Sequence, residues 1–216
     1  MTTVAEKNAV RARDADATRK RILKAAKREF SRLGLGGARV DDIAARAKAN
    51  KRMIYHYFGG KEDLFTAVLE EAYLDIRAAE RKLDLDKMEP EEAIDALVEF
   101  TWRYYLKNPE FLTLVNSENL HKGRHLRSSK VIQKEYPRFL ELVQGIIDRG
   151  VAKGVFRDGI SAVQLNITIA AISYYYLTNR YTGSIIYDRD LMDSRRLEER
   201  LEFNLQNIRR LLYTCC

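Results

Sequence analysis

Side chains suited to hydrogen bonding with nucleic acid lie close together between positions 39 and 61. An arginine such as Arg52 can donate two parallel hydrogen bonds to guanine, and Lys51 can reach the same base edge as a point charge. Met53 can contact a thymine methyl group, while tyrosine, histidine and lysine suit phosphate oxygens. The alternative for Lys51 and Arg52 is that they add affinity for phosphate without reading bases. We expect DNA contacts from Arg39, Asn50, Lys51, Arg52, Met53, Tyr55, His56 and Lys61.

Two short predicted helices, at residues 40–47 and 51–58, position most of these side chains. Two acidic residues occupy the first turn of the first helix, where the helix dipole favours negative charge. A two-residue break follows, and Asn50 is a good N-cap for the second helix. This outline is typical of a helix-turn-helix, whose second helix presents its N-terminal residues to the major groove.

The net charge is unevenly distributed along the chain. The whole sequence has 38 Lys and Arg against 31 Asp and Glu, a formal charge of +7. Residues 1–63 carry 16 basic and 8 acidic residues, whereas residues 64–216 carry 22 and 23. A basic module joined to a nearly neutral one favours a polyanion-binding part and a part with another role. Double-stranded DNA is the polyanion that the helix-turn-helix favours, and an anionic membrane surface is the alternative.

Apolar residues recur at helical spacing through the rest of the chain. Only 11 glycines and 3 prolines are present, which is too few turn residues for many short hairpins. Gly34 is expected to end the first helix. We expect a DNA-binding domain at residues 1–62, with residues 1–15 as a flexible basic arm, and a second domain at residues 63–216. The sequence predicts an all-α fold of about nine helices, at residues 16–33, 40–47, 51–58, 61–82, 90–107, 109–121, 129–153, 161–181 and 194–213.

Three short motifs within residues 37–64 resemble the DNA-binding domain of the TetR family of bacterial transcriptional regulators. Lys48 and Arg52 depart from the family pattern, which usually has a glycine-containing turn and a small residue at these places. The resemblance implies a ligand-responsive regulator, most often a repressor released from a palindromic operator by a small effector. It also implies an all-α C-terminal domain for effector binding and dimerisation. The motifs are Val40-x-Asp42-Ile43-Ala44, Ile54-Tyr55-x-Tyr57-Phe58 and Lys61-Glu62-x-Leu64.

Aromatic side chains beside polar ones, between positions 102 and 119, form the candidate effector site. An apolar pocket with a few convergent polar groups is the usual form of a small-molecule site. The alternative is ordinary core packing. Residues 108–119 are also similar to a TetR sub-group tied to the catabolism of small aromatic or heterocyclic compounds, which implies a small aromatic effector. The candidate residues are Trp102, Tyr105, Phe111, Glu118 and Asn119.

Glu118, His121 and His125 have a spacing that could hold zinc on one helix face. Gly123, between two basic neighbours, instead predicts a helix end with two solvent-facing histidines. We therefore expect no metal and no cofactor. Three histidines and two adjacent terminal cysteines offer no catalytic nucleophile arrangement, so the sequence does not predict an enzyme. An enzyme on a helical scaffold is the remaining alternative.

Residues 159–179 lack charged side chains and are long enough to cross a bilayer. Gln164, Asn166 and three consecutive tyrosines are costly in hydrocarbon, so we interpret this stretch as a helix buried on two sides. The TetR resemblance implies that a second copy in a homodimer covers it together with the helix at 194–213. The alternative is the central core helix of a monomer. The N-terminal residues lack the apolar run of a secretion signal, and we expect a cytoplasmic protein without membrane contact.

Overall fold

The structure is a computed structural model that describes the backbone of residues 4–214 and the side chains of residues 13–214. This part of the chain contains eleven α-helices, two 3-10 helices (Arg81–Leu83 and Leu85–Lys87) and one isolated β-bridge. The predicted all-α fold is therefore confirmed. The α-helices are α1 (Val4–Gly37), α2 (Val40–Ala47), α3 (Lys51–Phe58), α4 (Lys61–Glu80), α5 (Pro90–Lys107), α6 (Pro109–Leu120), α7 (Arg124–Arg127), α8 (Lys130–Ala152), α9 (Ala162–Thr178), α10 (Arg180–Ile186) and α11 (Ser194–Leu212).

All nine predicted helices are found, and the sequence does not predict α7 and α10. These two helices have four and seven residues, which is too short for a helical period to show. Gly34 interrupts α1 with φ 67° and ψ 177°, so the regular helix ends where the sequence predicts. At the other end, residues 4–15 form the first turns of α1 rather than a flexible arm, and residues 1–3 lie outside the described residues.

Two compact units make up the chain. The first contains the residues up to Ala72 together with Thr113–Ser129, and the second contains Tyr73–Leu112 and the residues from Lys130 onward. Helices α4 and α6 each contribute residues to both units. The sequence predicts that the DNA-binding domain ends at position 62 and that the effector and dimerisation domain begins at position 63. This division by function stays a prediction.

The first unit has an apolar core built by α1 to α4. Phe30 and Phe65 meet edge to face, with ring centroids 5.1 Å apart. Ile22, Ile43 and Ile54 have no exposed surface and bring one side chain each from α1, α2 and α3. Burial of such side chains stabilises each by about 1.5–3 kcal/mol, which holds three otherwise marginal short helices together.

Two polar contacts fix α2 against α1. Nε of Arg21 donates to the carbonyl oxygen of Ala47 at 3.3 Å. Nη2 of Arg46 lies 2.7 Å from the buried carboxylate of Glu29. Burial opposes ionisation of Glu29, but Arg32 and Arg46 outweigh it and lower the pKa of this carboxyl group. Because an unpaired buried carboxylate is costly, the pair with Arg46 specifies the orientation of α2.

The second unit has its core between α5, α8, α9 and α11. Arg209 on α11 forms a bidentate ion pair with Asp95 on α5, with Nη2 and Nε 2.7 Å and 3.0 Å from the two carboxylate oxygens. This pair sets the register of two helices far apart in sequence. All four helices contribute apolar side chains to the core, among them Leu97, Val143, Ile147, Leu165, Ile169 and Ile208.

Helix α9 is covered on one side in the single chain. Leu165, Ile169 and Leu177 are buried, whereas Val163 and Ile167 are 45% and 53% exposed. An apolar outer face therefore remains on this helix. Among the described residues, no helix has both the length and the apolar character needed to cross a membrane.

Candidate nucleic-acid interface

The turn between α2 and α3 is closed by backbone hydrogen bonds. The amide of Lys48 donates to the carbonyl oxygen of Ala45 at 3.1 Å, and the amide of Ala49 to that of Ala44 at 3.0 Å. Lys48 has φ 51° and ψ 44°, a left-handed conformation that glycine adopts with less strain. The chain thus forms the tight turn of a helix-turn-helix without a glycine, at a cost in backbone strain.

Asn50 caps the start of α3. Its backbone is extended, with φ −78° and ψ 140°, and its Oδ1 accepts a hydrogen bond from the backbone amide of Arg52 at 2.9 Å. The cap satisfies one of the amides that a helix start leaves free, and confirms the N-cap that the sequence predicts. Ile54 is fully buried and anchors the inner side of α3. The first turn of α3 is therefore fixed at both its end and its inner side.

The outer side of α3 presents polar and aromatic groups. Arg52 and His56 are exposed, Tyr55 is 48% exposed and Met53 is half-buried. The cap uses the backbone amide of Arg52 and not its side chain. The guanidinium of Arg52 can therefore donate to an external acceptor. The ring of His56 rests edge to face on that of Tyr57, with centroids 5.2 Å apart.

Lys51 is held by a carboxylate of the preceding helix. Its Nζ lies 2.8 Å from Oδ1 of Asp41, and this hydrogen bond raises the pKa of the ammonium group. Lys51 therefore remains charged at neutral pH, but it shares that charge with Asp41. To contact DNA, the Lys51 ammonium group must break its ion pair with Asp41 or bind Asp41 and the DNA at the same time.

Two further cations stand at helix starts. Arg39 is exposed and immediately precedes α2, where its side chain forms no capping bond. Lys61 opens α4, and its Nζ donates to the carbonyl oxygen of Gly36 at 3.4 Å. Helix N-termini with nearby cations suit phosphate oxygens. All eight residues of the expected interface thus belong to the first unit, six of them on α3 or at its cap.

Two family models match the chain in separate stretches. Residues 22–68 match the model described as bacterial regulatory proteins, tetR family, and residues 90–208 match the tetracyclin repressor-like C-terminal domain. The chain belongs to the TetR family. The helix-turn-helix described above lies inside the N-terminal match, so the TetR resemblance of the three motifs is confirmed.

Individual relatives agree with the TetR assignment. The chain is 44% identical over 197 residues to the HTH-type transcriptional repressor NicS of Pseudomonas putida, covering 91% of this chain and 93% of the relative. It is 37% identical over 163 residues to the HTH-type transcriptional repressor SCO4008 of Streptomyces coelicolor, covering 75% and 79%. The crystal structure of a TetR family transcription regulator from Marinobacter aquaeolei VT8 matches with a TM-score of 0.70 at 19% identity, over 95% of this chain and all of that one.

These findings make the protein a DNA-binding transcriptional regulator of the ligand-responsive TetR type. Both of the curated relatives described above are named transcriptional repressors. The membrane-surface alternative is not favoured by any of these matches.

The candidate effector residues of this TetR protein divide between its two units. Trp102, Tyr105 and Phe111 are buried in the second unit, where the rings of Tyr105 and Phe111 stack with centroids 5.8 Å apart. Glu118 and Asn119 belong to the first unit. Asn119 is exposed there and donates to a carbonyl oxygen of its own helix. The predicted polar pair therefore does not share a compact unit with the aromatic residues.

Glu118 caps the short helix α7. Its Oε1 accepts hydrogen bonds from the backbone amides of His125 and Leu126 at 2.7 Å and 3.1 Å, and its Oε2 lies 2.5 Å from Nδ1 of His125. Glu118 and His125 are only 2% and 5% exposed. The prediction of two solvent-facing histidines is therefore wrong for His125. Spacing alone does not show that the chain folds back at Gly123 and places these two side chains together.

The histidines do not form a metal centre. His121, in the turn that follows α6, directs Nδ1 to the carbonyl oxygen of Ser117, 2.7 Å away, rather than toward Glu118. Among the described residues, no three His, Cys, Asp or Glu side chains are arranged to hold a metal ion. Glu118 and His125 thus serve as structural partners of each other.

Glu62, which the sequence does not single out, completes this cluster. Its Oε2 lies 2.6 Å from Nε2 of His125, and it also pairs with Arg124. The hydrogen bond from His125 and the charge of Arg124 lower the pKa of Glu62. The helix that follows the helix-turn-helix is thereby joined to α7. No local pattern signals this link, because the partners lie 62 and 63 residues apart.

Proposed function

We propose that this protein is a homodimeric, cytoplasmic repressor that binds a palindromic operator in double-stranded DNA and leaves it when a small effector binds. The observation that most supports this proposal is that the start of α3 is both exposed and capped. The cap by Asn50 fixes the first turn, and Arg52 stands on that turn with an exposed side chain. A recognition helix with a fixed start brings the same side chains to the same base edges at every encounter.

We assign base reading to Arg52. Arginine can bond guanine through two nitrogens at once, which discriminates against other bases by about 1–3 kcal/mol. Lys51 shares its charge with Asp41, so it suits a single oxygen of a base or a phosphate. Met53 is half-buried and suits an apolar contact to a thymine methyl group. Phosphate contacts are assigned to the flanking residues Arg39, Asn50, Tyr55, His56 and Lys61.

The proposed homodimer uses the uncovered face of α9. Val163, Ile167 and Tyr175 are 45%, 53% and 63% exposed and lie four and eight residues apart, on one side of the helix. Phe203 on α11 is 54% exposed. Exposed apolar patches of this kind mark interaction surfaces. A second copy is the partner that a two-fold arrangement of reading heads requires, and its symmetry implies a nearly palindromic operator.

The effector proposal concerns the second unit, in which the match to the TetR C-terminal domain lies. Trp102, Tyr105 and Phe111 remain candidates for contacts to a small aromatic molecule, and the ring of Tyr73 lies 5.3 Å from that of Phe111. Since the Glu118 carboxylate is hydrogen-bonded to the backbone of α7, other side chains must supply the polar contacts to the effector. The effector releases the operator if it binds more tightly to a conformation in which the two recognition helices of the dimer are wrongly spaced for DNA. The coupling free energy between effector and DNA binding is usually about 1–3 kcal/mol.

Selection from random double-stranded DNA tests the proposed function. We expect the wild-type protein to enrich an inverted repeat whose half-site centres are about 10 base pairs, or a multiple of that, apart. Arg52→Ala, selected in parallel, should enrich a repeat with one position left degenerate in each half-site. A wild-type protein that enriches no sequence would refute base reading, and one that enriches a single unrepeated motif would refute the dimer.

A further inference from the structure

A cavity of about 670 Å³ opens in the second unit, where the end of α9 and α10 meet the start of α11. Four aromatic side chains stand in its wall: Tyr175, Tyr176, Tyr187 and Phe203. Tyr175 and Phe203 also belong to the face proposed for the homodimer, so the cavity borders that interface. The volume is that of a site for a small molecule. Flat aromatic walls suit a planar aromatic guest, which packs against them by stacking or by edge contacts.

The cavity lining carries an excess of positive charge. It contains Arg189, Arg196 and Arg200 but a single acidic residue, Glu199. The carboxylate of Glu199 is directed to Arg195, with 3.0 Å between Oε1 and Nε. The three lining guanidinium groups therefore outweigh it, and the cavity attracts an anion. Guanidinium groups bind carboxylates with particularly good geometry.

Arg200 is the cation built most closely into the wall. Its Nη2 donates to the carbonyl oxygen of Ile172 at 2.9 Å, and its guanidinium lies 5.3 Å and 5.4 Å from the ring centres of Tyr176 and Phe203. Burial lowers the pKa of Arg200, which marks a charge removed from water. Its Nε is buried and has no hydrogen-bond partner among the described residues. Arg200 thus brings a partly desolvated positive charge to the wall of the cavity.

Behind Tyr176 lie three polar side chains that are fully buried and, within the described part of the chain, have unpartnered atoms. They are Trp102 at Nε1, Ser173 at Oγ, and Asn204 at both amide atoms. Trp102 contacts Tyr176 edge to face at 5.6 Å. Ser173 precedes Tyr176 by three residues on α9, and Asn204 follows Arg200 by four on α11, one helical turn in each case. These side chains do not line the cavity, and because buried polar groups are almost always paired, they mark unsatisfied hydrogen-bonding capacity in the core beside its wall.

We propose that the cavity between Tyr176, Arg200 and Phe203 is the effector site and binds a small planar aromatic carboxylate. Its regulatory role rests on the proposed function, whereas its binding chemistry rests on the lining residues. The carboxylate pairs with Arg200, and the ring packs against the aromatic walls. Of the residues that the sequence suggests for the effector, Trp102 alone contacts a lining residue, Tyr176, so this site takes the place of the one suggested around Tyr105 and Phe111.

The fluorescence of Trp102 provides the test, because it is the only tryptophan and its ring contacts Tyr176. We would titrate the full-length protein with benzoate and 4-hydroxybenzoate, and with benzamide as a neutral analogue. We expect the two carboxylates to change the emission along a saturable single-site curve. Benzamide should bind at least about tenfold more weakly, because it lacks the charge that pairs with Arg200.

Matched variants locate the site. Arg200→Gln should weaken benzoate binding by about tenfold or more, whereas Arg210→Gln, on an exposed residue of the same helix outside the cavity, should leave it unchanged. Circular dichroism establishes that each variant is folded. If Arg200→Gln does not fold, Arg196→Gln removes a second lining cation and should weaken binding in the same direction. Carboxylate binding that neither cavity variant changes would overturn the proposal.

Other results would also overturn it. They are the lack of a saturable response to either carboxylate up to about 10 mM, and equal binding of benzamide. A separate experiment measures binding of the ligand-free wild-type protein to the selected operator. The absence of this binding would refute the proposed repressor while leaving carboxylate binding as a property of the cavity. An operator complex that persists when the cavity is saturated would refute the effector role.

Discussion

His125 and Glu118 form a buried pair in which Nδ1 of the imidazole lies 2.5 Å from Oε2 of the carboxylate. The other ring nitrogen of His125, Nε2, lies 2.6 Å from Oε2 of Glu62. Each ring nitrogen of His125 therefore lies within hydrogen-bond distance of a carboxylate oxygen. One side chain thereby ties α7 to the end of α6 and to the start of α4, directly after the helix-turn-helix.

Replacing His125 by leucine removes both ring nitrogens and leaves the buried Glu118 without its side-chain partner. We expect the free energy of unfolding in urea to fall by about 2–4 kcal/mol. His121→Leu is the matched control, because the hydrogen bond of the His121 ring goes to a backbone carbonyl oxygen four residues earlier, that of Ser117. The control should lose less than about 1 kcal/mol. Equal losses for the two variants would contradict the role assigned to the buried pair.

Glu80 predicts a specific dependence of stability on pH. Burial raises its pKa to about 7, although Arg77 and Arg81 act in the opposite direction. The folded state therefore holds a proton that the unfolded chain releases near its ordinary pKa of 4.5. Stability from this group is complete below pH 4.5 and declines as the pH rises to 7, by about 3 kcal/mol in total.

Glu80→Gln measures this decline, because glutamine keeps the shape and does not titrate. The free energy of unfolding of the wild type, relative to Glu80→Gln, should be higher at pH 5 than at pH 7.5. Glu135→Gln serves as a control on a more exposed carboxylate that also pairs with an arginine. A difference between wild type and Glu80→Gln that does not change with pH would contradict the assigned pKa.

The apolar face of α9 predicts a change in assembly. Ile167→Glu places a charge on the exposed face, and we expect sedimentation to show monomers that remain folded and have lost tight operator binding. Leu120→Glu changes a leucine that is 84% exposed in the first unit, and it should remain dimeric. A folded Ile167→Glu dimer with wild-type operator affinity would exclude this face from the interface.

Local signals in the sequence predict much of the fold. The N-cap at Asn50, the helix stop at Gly34 and the apolar spacing of the long helices each depend on residues within a turn or two of one another. These signals give the nine longer helices and the helix-turn-helix on which the candidate DNA contacts lie. The TetR resemblance, rather than a local signal, marks Lys48 as an unusual turn residue, and this residue has a positive φ in the structure.

The rest depends on contacts between distant residues. Glu62 and His125 meet across 63 positions, and no helical period reports such a pair. Similarly, α9 is apolar nearly all round, so its sequence does not distinguish buried Ile169 from exposed Ile167. Arg200 is an ordinary arginine in the sequence. It becomes a candidate ligand contact when the fold surrounds it with Tyr176 and Phe203.

The central claim is that Arg52 reads bases, and the ratio of dissociation constants for operator and random DNA tests it most directly. Fluorescence anisotropy at several salt concentrations should show that Arg52→Ala weakens operator binding by about 1–3 kcal/mol and lowers this ratio. Lys61→Ala, the phosphate-contact control, should weaken both DNAs alike and reduce the salt slope by about one. Equal weakening of operator and random DNA by Arg52→Ala would contradict the claim.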